Sequence, residues 1–185
     1  MLDRMLIEHC SPTLGGLKTA SLFSCSFSSQ EELALTLSAW NSKLNSKGVT
    51  LYALGSRKKR ALIYVCRTSL LGEDLKKSAI QEFLKSYGYC QFEPDACIKR
   101  LMERFRSSPD FPHEIGLFLG YPLEDVKGFV ENAGQNCKCA GCWKVYCNEC
   151  ETVKLFTKYK KCKEIFSKLF YNRARSVVQL TVAGL

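Results

Sequence analysis

Histidine is almost missing from this chain, with two in 185 residues, His9 and His113. A zincin site needs two histidines four apart on one helix face, and the residue four after His113 is Leu117, so that chemistry is excluded. Long apolar runs are missing too. None approaches the roughly 20 residues that span a bilayer. The N-terminal stretch MLDRMLIEHC carries Asp3 and Glu8 inside its apolar segment, unlike a secretory leader, and reads as the first helix of a cytoplasmic protein. A phosphate loop is also absent. Gly15-Gly16-Leu17-Lys18-Thr19 approaches one, but Leu17 stands where Gly must precede the lysine, leaving Lys18 only as an anion contact. Internal repeats, low-complexity segments and long linkers are lacking. The one seam, Ser107-Ser108-Pro109, is too short to separate domains, so residues 1–185 are expected to form a single domain.

What is present is a globular composition, 46% hydrophobic and 24% charged, on a chain long enough to bury a core. Eleven cysteines are an odd number. In a reducing cytosol they are free thiols, metal ligands or redox centres rather than a disulfide framework. The 27 Lys and Arg against 18 Asp and Glu give a formal charge of +9, which favours anionic partners but says nothing of fold.

Helical spacing covers Leu2, Met5, Leu6 and His9, and Pro12 with Gly15 and Gly16 is expected to break that helix. Ala20 to Phe27 reads as a strand. Ser28 or Ser29 can cap a helix with Glu31 and Glu32 in its first turn, an apolar stripe of Leu33, Leu37, Trp40 and Leu44, and Gly48 as its stop. Val49–Leu54 and Ala61–Cys66 are β-rich runs joined by GSRKKR, an antiparallel hairpin whose basic tip reads as a solvated turn. Helices follow over residues 69–88 and from about Pro94 to Arg106, the second with Ile98, Leu101, Met102 and Phe105 on one face.

The rest is organised around Phe111 to Cys150. Phe111-Pro112-His113-Glu114 and Tyr121-Pro122-Leu123-Glu124-Asp125 each place a proline at a helix start with acids behind it, predicting a pair of short helices on the sheet. Glu124, Asp125 and Glu131 are expected on the solvent face of the second, where they would repel phosphate; the pair is therefore not supported as a DNA reader, and nucleic acid is not an expected partner.

FPHEIGLFLGYPLEDVKGF, WKVY at 143–146 and the earlier SPTLGGLKTASLF together resemble an uncharacterised bacterial family, a domain of unknown function found mainly in anaerobic Firmicutes. Its signature is a Pro-His-Glu triplet, here Pro112, His113 and Glu114, and the resemblance spans nearly the whole chain. It implies membership and not a mechanism.

His113 near a helix N-terminus is disfavoured as imidazolium and suited to act as a base or ligand. Neighbours on a helix point about 100° apart, so His113 and Glu114 need not meet. The more economical reading has both in structural roles, His113 donating to a carbonyl and Glu114 capping free N–H groups.

Cys137, Cys139, Cys142, Cys147 and Cys150 read C-x-C-x2-C-x4-C-x2-C, a spacing in which each C-x2-C pair can present two thiolates to zinc or an iron–sulfur cluster. Trp143-Lys144-Val145-Tyr146 alternates like a strand, however, and would hold Cys142 and Cys147 about 16 Å apart, too far for one tetrahedral zinc. A site at one end, from Cys137, Cys139 and Cys142, or a redox dithiol at Cys147 and Cys150, is compatible with the spacing. From Glu151 a long helix is expected to turn Val153, Phe156, Tyr159, Cys162, Phe166, Leu169 and Phe170 inward and Lys154, Lys158, Lys160, Lys161, Lys163 and Lys168 outward. Val177 to Val182 is read as a final short strand or as a segment packed across the end.

The expected architecture is α+β, a small mainly antiparallel sheet (20–27, 49–54, 61–66 and 142–147) covered by helices. Three functional classes fit: a cytosolic metal- or redox-linked accessory protein resting on the cysteines; an enzyme or small-ligand binder with a pocket around Lys18, His113, Glu114 and Tyr121; and an interaction protein meeting an anionic partner through the Lys-rich helix 154–168.

Overall fold

The computed structural model describes residues 2–108 and 110–184, so Pro109 of the expected seam lies outside the described residues. Three strands, β1 (Ala20–Ser26), β2 (Val49–Arg57) and β3 (Arg60–Arg67), form an antiparallel sheet in the order β1-β3-β2. The central strand β3 is the run ALIYVC, apolar throughout because both its faces are covered. Ala61, Ile63 and Val65 point to one face with Phe23 and Leu51, while Tyr64 and Cys66 point to the other with Ala20 and Leu54. That alternation follows from the two-residue period of a strand. The hairpin between β2 and β3 turns on Lys58 and Lys59, both at positive φ (48° and 60°), the conformation a two-residue turn requires.

On the first face lie α1 (Leu2–Leu14), α2 (Gln30–Leu44), the long α8 (Glu149–Tyr171) and the short α9 (Val177–Leu180). On the second lie α3 (Thr68–Leu75), α4 (Ser78–Lys85), α5 (Pro94–Ser107), α6 (Ile115–Phe118) and α7 (Leu123–Glu131). The result is an α+β domain with its sheet buried between helical layers. None of the helices among the described residues is long and apolar enough to cross a membrane.

Local signals hold where local chemistry sets the element. Ser29 caps α2, its hydroxyl accepting the Glu32 N–H at 3.2 Å. Elsewhere tertiary contacts win. The first helix runs through Pro12 to Leu14 rather than ending before it. Its terminal carbonyls are held from outside, since the buried Arg67 guanidinium donates to Thr13 O and Leu14 O, each at 2.6 Å, and to Val182 O at 2.8 Å. The helix expected over 69–88 is two, broken where Lys77 turns extended (φ −67°, ψ 119°) and ties its ammonium to Asp74 at 2.6 Å. In α8 it is Thr152 and Tyr159 that are buried, and Val153 faces solvent. Of the two readings of residues 177–182, a strand or a segment packed across the end, the second holds: Val177–Leu180 form α9, and the Val182 N–H donates to Leu14 O.

The segment 142–147 does not join the main sheet. A two-residue strand β5 (Lys144–Val145) pairs with β4 (Cys139–Ala140) as a separate hairpin, wedged against α7 and α8. Trp143, Val145 and Tyr159 form a small third core there, with Leu155 and Phe156 packed on it. Gly128 in α7 allows this approach, because a Cβ there would lie 2.5 Å from Cγ of Tyr146.

Candidate functional site

Three loops converge over the end of β1. The first carries Lys18, between α1 and β1, and its course is fixed by Arg67 on one side and on the other by Thr19, whose hydroxyl donates to Asp74 at 2.7 Å. The second is the turn Gly120–Tyr121 between α6 and α7; Gly120 sits at φ +77° against Thr19, where a Cβ would fall 2.6 Å from its hydroxyl oxygen. The third is the tip of the β4–β5 hairpin, Gly141-Cys142-Trp143.

These loops, together with Phe156 of α8, bring four groups into a row. The Lys18 ammonium lies 5.1 Å from the centre of the Tyr121 ring. That ring is stacked on Trp143 (4.5 Å, 23°), and Trp143 meets Phe156 edge-on (4.6 Å, 86°). Aromatic pairs of this kind add roughly 0.5–1.5 kcal/mol beyond area burial, so the row is a packed wall.

Two cavities open on either side of that wall. One, about 440 Å³, is mostly apolar and is lined by Phe111, His113, Leu119, Val126, Phe129 and Trp143 among others. The other, about 400 Å³, is lined by Glu8, His9, Lys18, Tyr159, Lys160 and Lys163. Leu22, Leu119, Tyr121 and Cys142 border both, so they are adjoining chambers of one cleft. A larger cavity of about 680 Å³ opens between α1, α2 and the C-terminal segment. Two charged groups on its lining are committed locally: Glu32 accepts the Ser28 N–H, and Lys43 lies over the Trp40 ring.

Lys18 and His113 therefore face neighbouring chambers rather than one pocket. His113 is exposed, its ring against Phe111 (5.7 Å) and Phe129 (5.0 Å). Glu114 points the other way and lines neither chamber. It is fully buried, paired with Arg104, and accepts from the Tyr89 hydroxyl at 3.3 Å. It makes no side-chain cap of α6, so the expected capping role is corrected to a buried ion pair.

Asp125 is the residue that periodicity misplaces. Instead of facing solvent it is buried, and it collects four donors from the hairpin: Trp143 Nε1 at 2.8 Å, the N–H groups of Tyr146 (2.7 Å) and Cys147 (2.9 Å), and the Cys147 thiol (3.2 Å). The usable signal was the tryptophan, since a buried indole N–H needs an acceptor. Arg67 carries no sequence signal, whereas Lys160 and Lys163 belong to the Lys-rich face of α8 expected to meet an anion and border the second chamber.

The hairpin distributes the five cysteines. Cys142 is at the tip, bordering both chambers. Cys139 lies on β4 with Cys137 two residues before it, Cys147 lies between β5 and α8, and Cys150 is in the first turn of α8. Among the described residues no three of His, Cys, Asp and Glu come together in a group that could hold a metal ion. Burial and the Asp125 carboxylate push the Cys147 thiol up to about 11, so it serves as a donor and is a weak nucleophile at neutral pH.

Burial brings the Lys18 amine down to about 8 and takes the Tyr121 hydroxyl up to about 12. The Cys142 thiol is raised by burial, with Lys18 acting against the rise. The cleft thus combines an apolar chamber with the His113 imidazole at its edge and a neighbouring chamber bordered by three amines, Glu8 and His9.

Neither a curated protein nor a solved structure matches the chain. A family model does, over residues 6–181, so the chain belongs to the family described as Protein of unknown function (DUF3793).

Proposed function

We propose that this protein is a small-molecule binder whose ligand occupies the cleft divided by Tyr121 and Cys142. The observation that carries the reading is the wall itself. Tyr121 stacked on Trp143 borders a chamber of about 440 Å³ whose other sides are Phe111, Leu119, Val126 and Phe129. Concave apolar sites of roughly 300–1,000 Å³ with few polar groups are the usual form of a small-molecule site. The ligand's apolar body lies against Trp143 and Phe129, and His113 offers the hydrogen bond that orients it. A joint catalytic role for His113 and Glu114 draws no support, because Glu114 is sequestered with Arg104.

The metal- or redox-linked role for Cys137–Cys150 has less in its favour, with Cys147 held as a thiol by Asp125. A cytosolic setting, in which the cysteines stay reduced, belongs to the proposal. So does the remaining alternative, an anionic partner at the Lys-rich face of α8, where Lys154 is already paired with Glu151 at 2.7 Å.

The test is a thermal-shift screen of apolar and aromatic small molecules on the intact protein, followed by titration of hits against tryptophan emission. A ligand of this cleft raises the melting temperature, perturbs Trp143, and loses affinity in Phe129→Ala. Hits that bind the Phe129→Ala protein unchanged, or no hits at all, would sink the proposal.

A further inference from the structure

We infer that the second chamber receives the anionic head group of the ligand whose apolar body fills the first, with Lys18, Lys160 and Lys163 as its cationic contacts. The inference rests on the cleft being a ligand site at all. Its ground is that Lys18 has no carboxylate partner among the described residues. Lys18 is half-buried on the loop before β1, and its ammonium faces the Tyr121 ring rather than a carboxylate. The groups whose charge bears on it are the thiols of Cys142 and Cys10, neither of them a carboxylate; burial pushes the Cys10 thiol up to about 12 and raises that of Cys142.

Lys160 and Lys163, one turn apart on α8, border the same chamber. The acid at its rim, Glu8, accepts the Tyr171 hydroxyl at 2.8 Å, and the His9 ring is stacked on Phe23 at 5.5 Å. Three amines thus share a cavity walled by Leu22, Leu119, Tyr121 and Phe156, with one engaged carboxylate at the edge. Like charges gathered against low-dielectric walls repel one another and raise the local concentration of anions. Because Tyr121 and Cys142 border both chambers, one molecule can span them.

The experiment uses two probes of one shape, 2-naphthoate and the neutral 2-naphthamide, titrated into the full chain by calorimetry at low and high salt. The carboxylate should bind about tenfold or more tightly at low salt, since charge-assisted contacts are the strong ones. That preference should shrink with salt and vanish in Lys18→Met. Should Lys18→Met fail to fold, the double variant Lys160→Gln/Lys163→Gln, at exposed positions of α8, should lower the preference several-fold. Equal binding of the two probes, or a preference untouched by the lysine variants, overturns the anionic chamber and leaves the binding proposal standing. Binding of neither probe, together with an empty screen, overturns both.

Discussion

The Asp125 carboxylate accepts the Trp143 indole N–H at 2.8 Å, joining the first turn of α7 to the tip of a hairpin 18 residues further on. Through that bond the same tryptophan faces two ways. Its N–H is fixed in the interior, and its ring is presented to Tyr121 as one wall of the cleft. Asp125 is a positioning residue, acting on the site through Trp143 and through the Tyr146 and Cys147 amides.

Replacing Asp125 with Ala strands several buried donors at once. At about 1–3 kcal/mol for each donor left unsatisfied, the variant should lose about 3–5 kcal/mol in urea unfolding. Asp125→Asn keeps one acceptor oxygen and should lose less. Near-wild-type stability of the alanine variant would mean that the hairpin is not held by this carboxylate.

His113 and Glu114 are adjacent and should behave as opposites. Glu114→Ala leaves Arg104 and the Tyr89 hydroxyl without their partner and should cost about 3 kcal/mol, the scale on which breaking a buried pair is felt. His113→Ala removes an exposed ring and should change stability by less than about 0.5 kcal/mol. Its effect should appear in ligand affinity, measured by titration on the same samples.

Arg67, the last residue of β3, holds the end of α1 and the C-terminal tail through the carbonyls of Thr13, Leu14 and Val182, and also reaches Lys47 O at 3.4 Å. Lysine cannot reach them all with a fork, so Arg67→Lys should cost about 2–4 kcal/mol. The exposed Arg106→Lys serves as control and should stay within about 0.5 kcal/mol. Equal unfolding midpoints for the two variants would contradict the clamp.

In the proposed anionic chamber, Lys18 should make binding depend on pH. Its amine is lowered to about 8 from 10.5, so the free site loses this charge as pH rises through 8, and the preference for naphthoate over naphthamide should decline there. The groups facing it are Cys10, Glu8 and His9 of α1, Tyr121, Cys142, and Tyr159, Lys160 and Lys163 of α8. Of these Cys10 and Tyr121 titrate near 12, well above the lysine. The same shift has a sign for folding. Between about 8 and 10.5 the unfolded chain holds more protons at this group, so its contribution to stability improves as pH rises. Calorimetric titrations at pH 7 and pH 9 check the first statement, and urea unfolding across that range checks the second.

Thiol reactivity should follow burial. Cys90, Cys142 and Cys150 are exposed and should alkylate ahead of the buried thiols, whereas burial pushes Cys10 and Cys66 up to about 12. At pH 8 a thiol titrating at 12 is about one ten-thousandth thiolate, so both should label only on unfolding. Mass-spectrometric mapping of iodoacetamide adducts reads the order, and early labelling of Cys10 would show the α1 core to be open.

The sequence by itself determined the elements whose cause is local. Ser29 with its helix, the hairpin across Lys58 and Lys59, the stripe Ile98-Leu101 on α5, and the α+β class all follow from caps, turns and periodicity. It also brought Lys18, His113, Tyr121 and Cys142 forward as candidates, and all four border the cleft. What only the tertiary structure decided were the facings set by partners far along the chain. Asp125 is polar yet buried because donors 18 to 22 residues away satisfy it, and Arg67 is buried because a carbonyl 115 residues on completes its set. Glu114 leaves the cleft because Arg104, ten residues earlier, draws it inward. Periodicity reports which way a residue faces on its own element; the burial of a charge depends on a partner that no local pattern encodes.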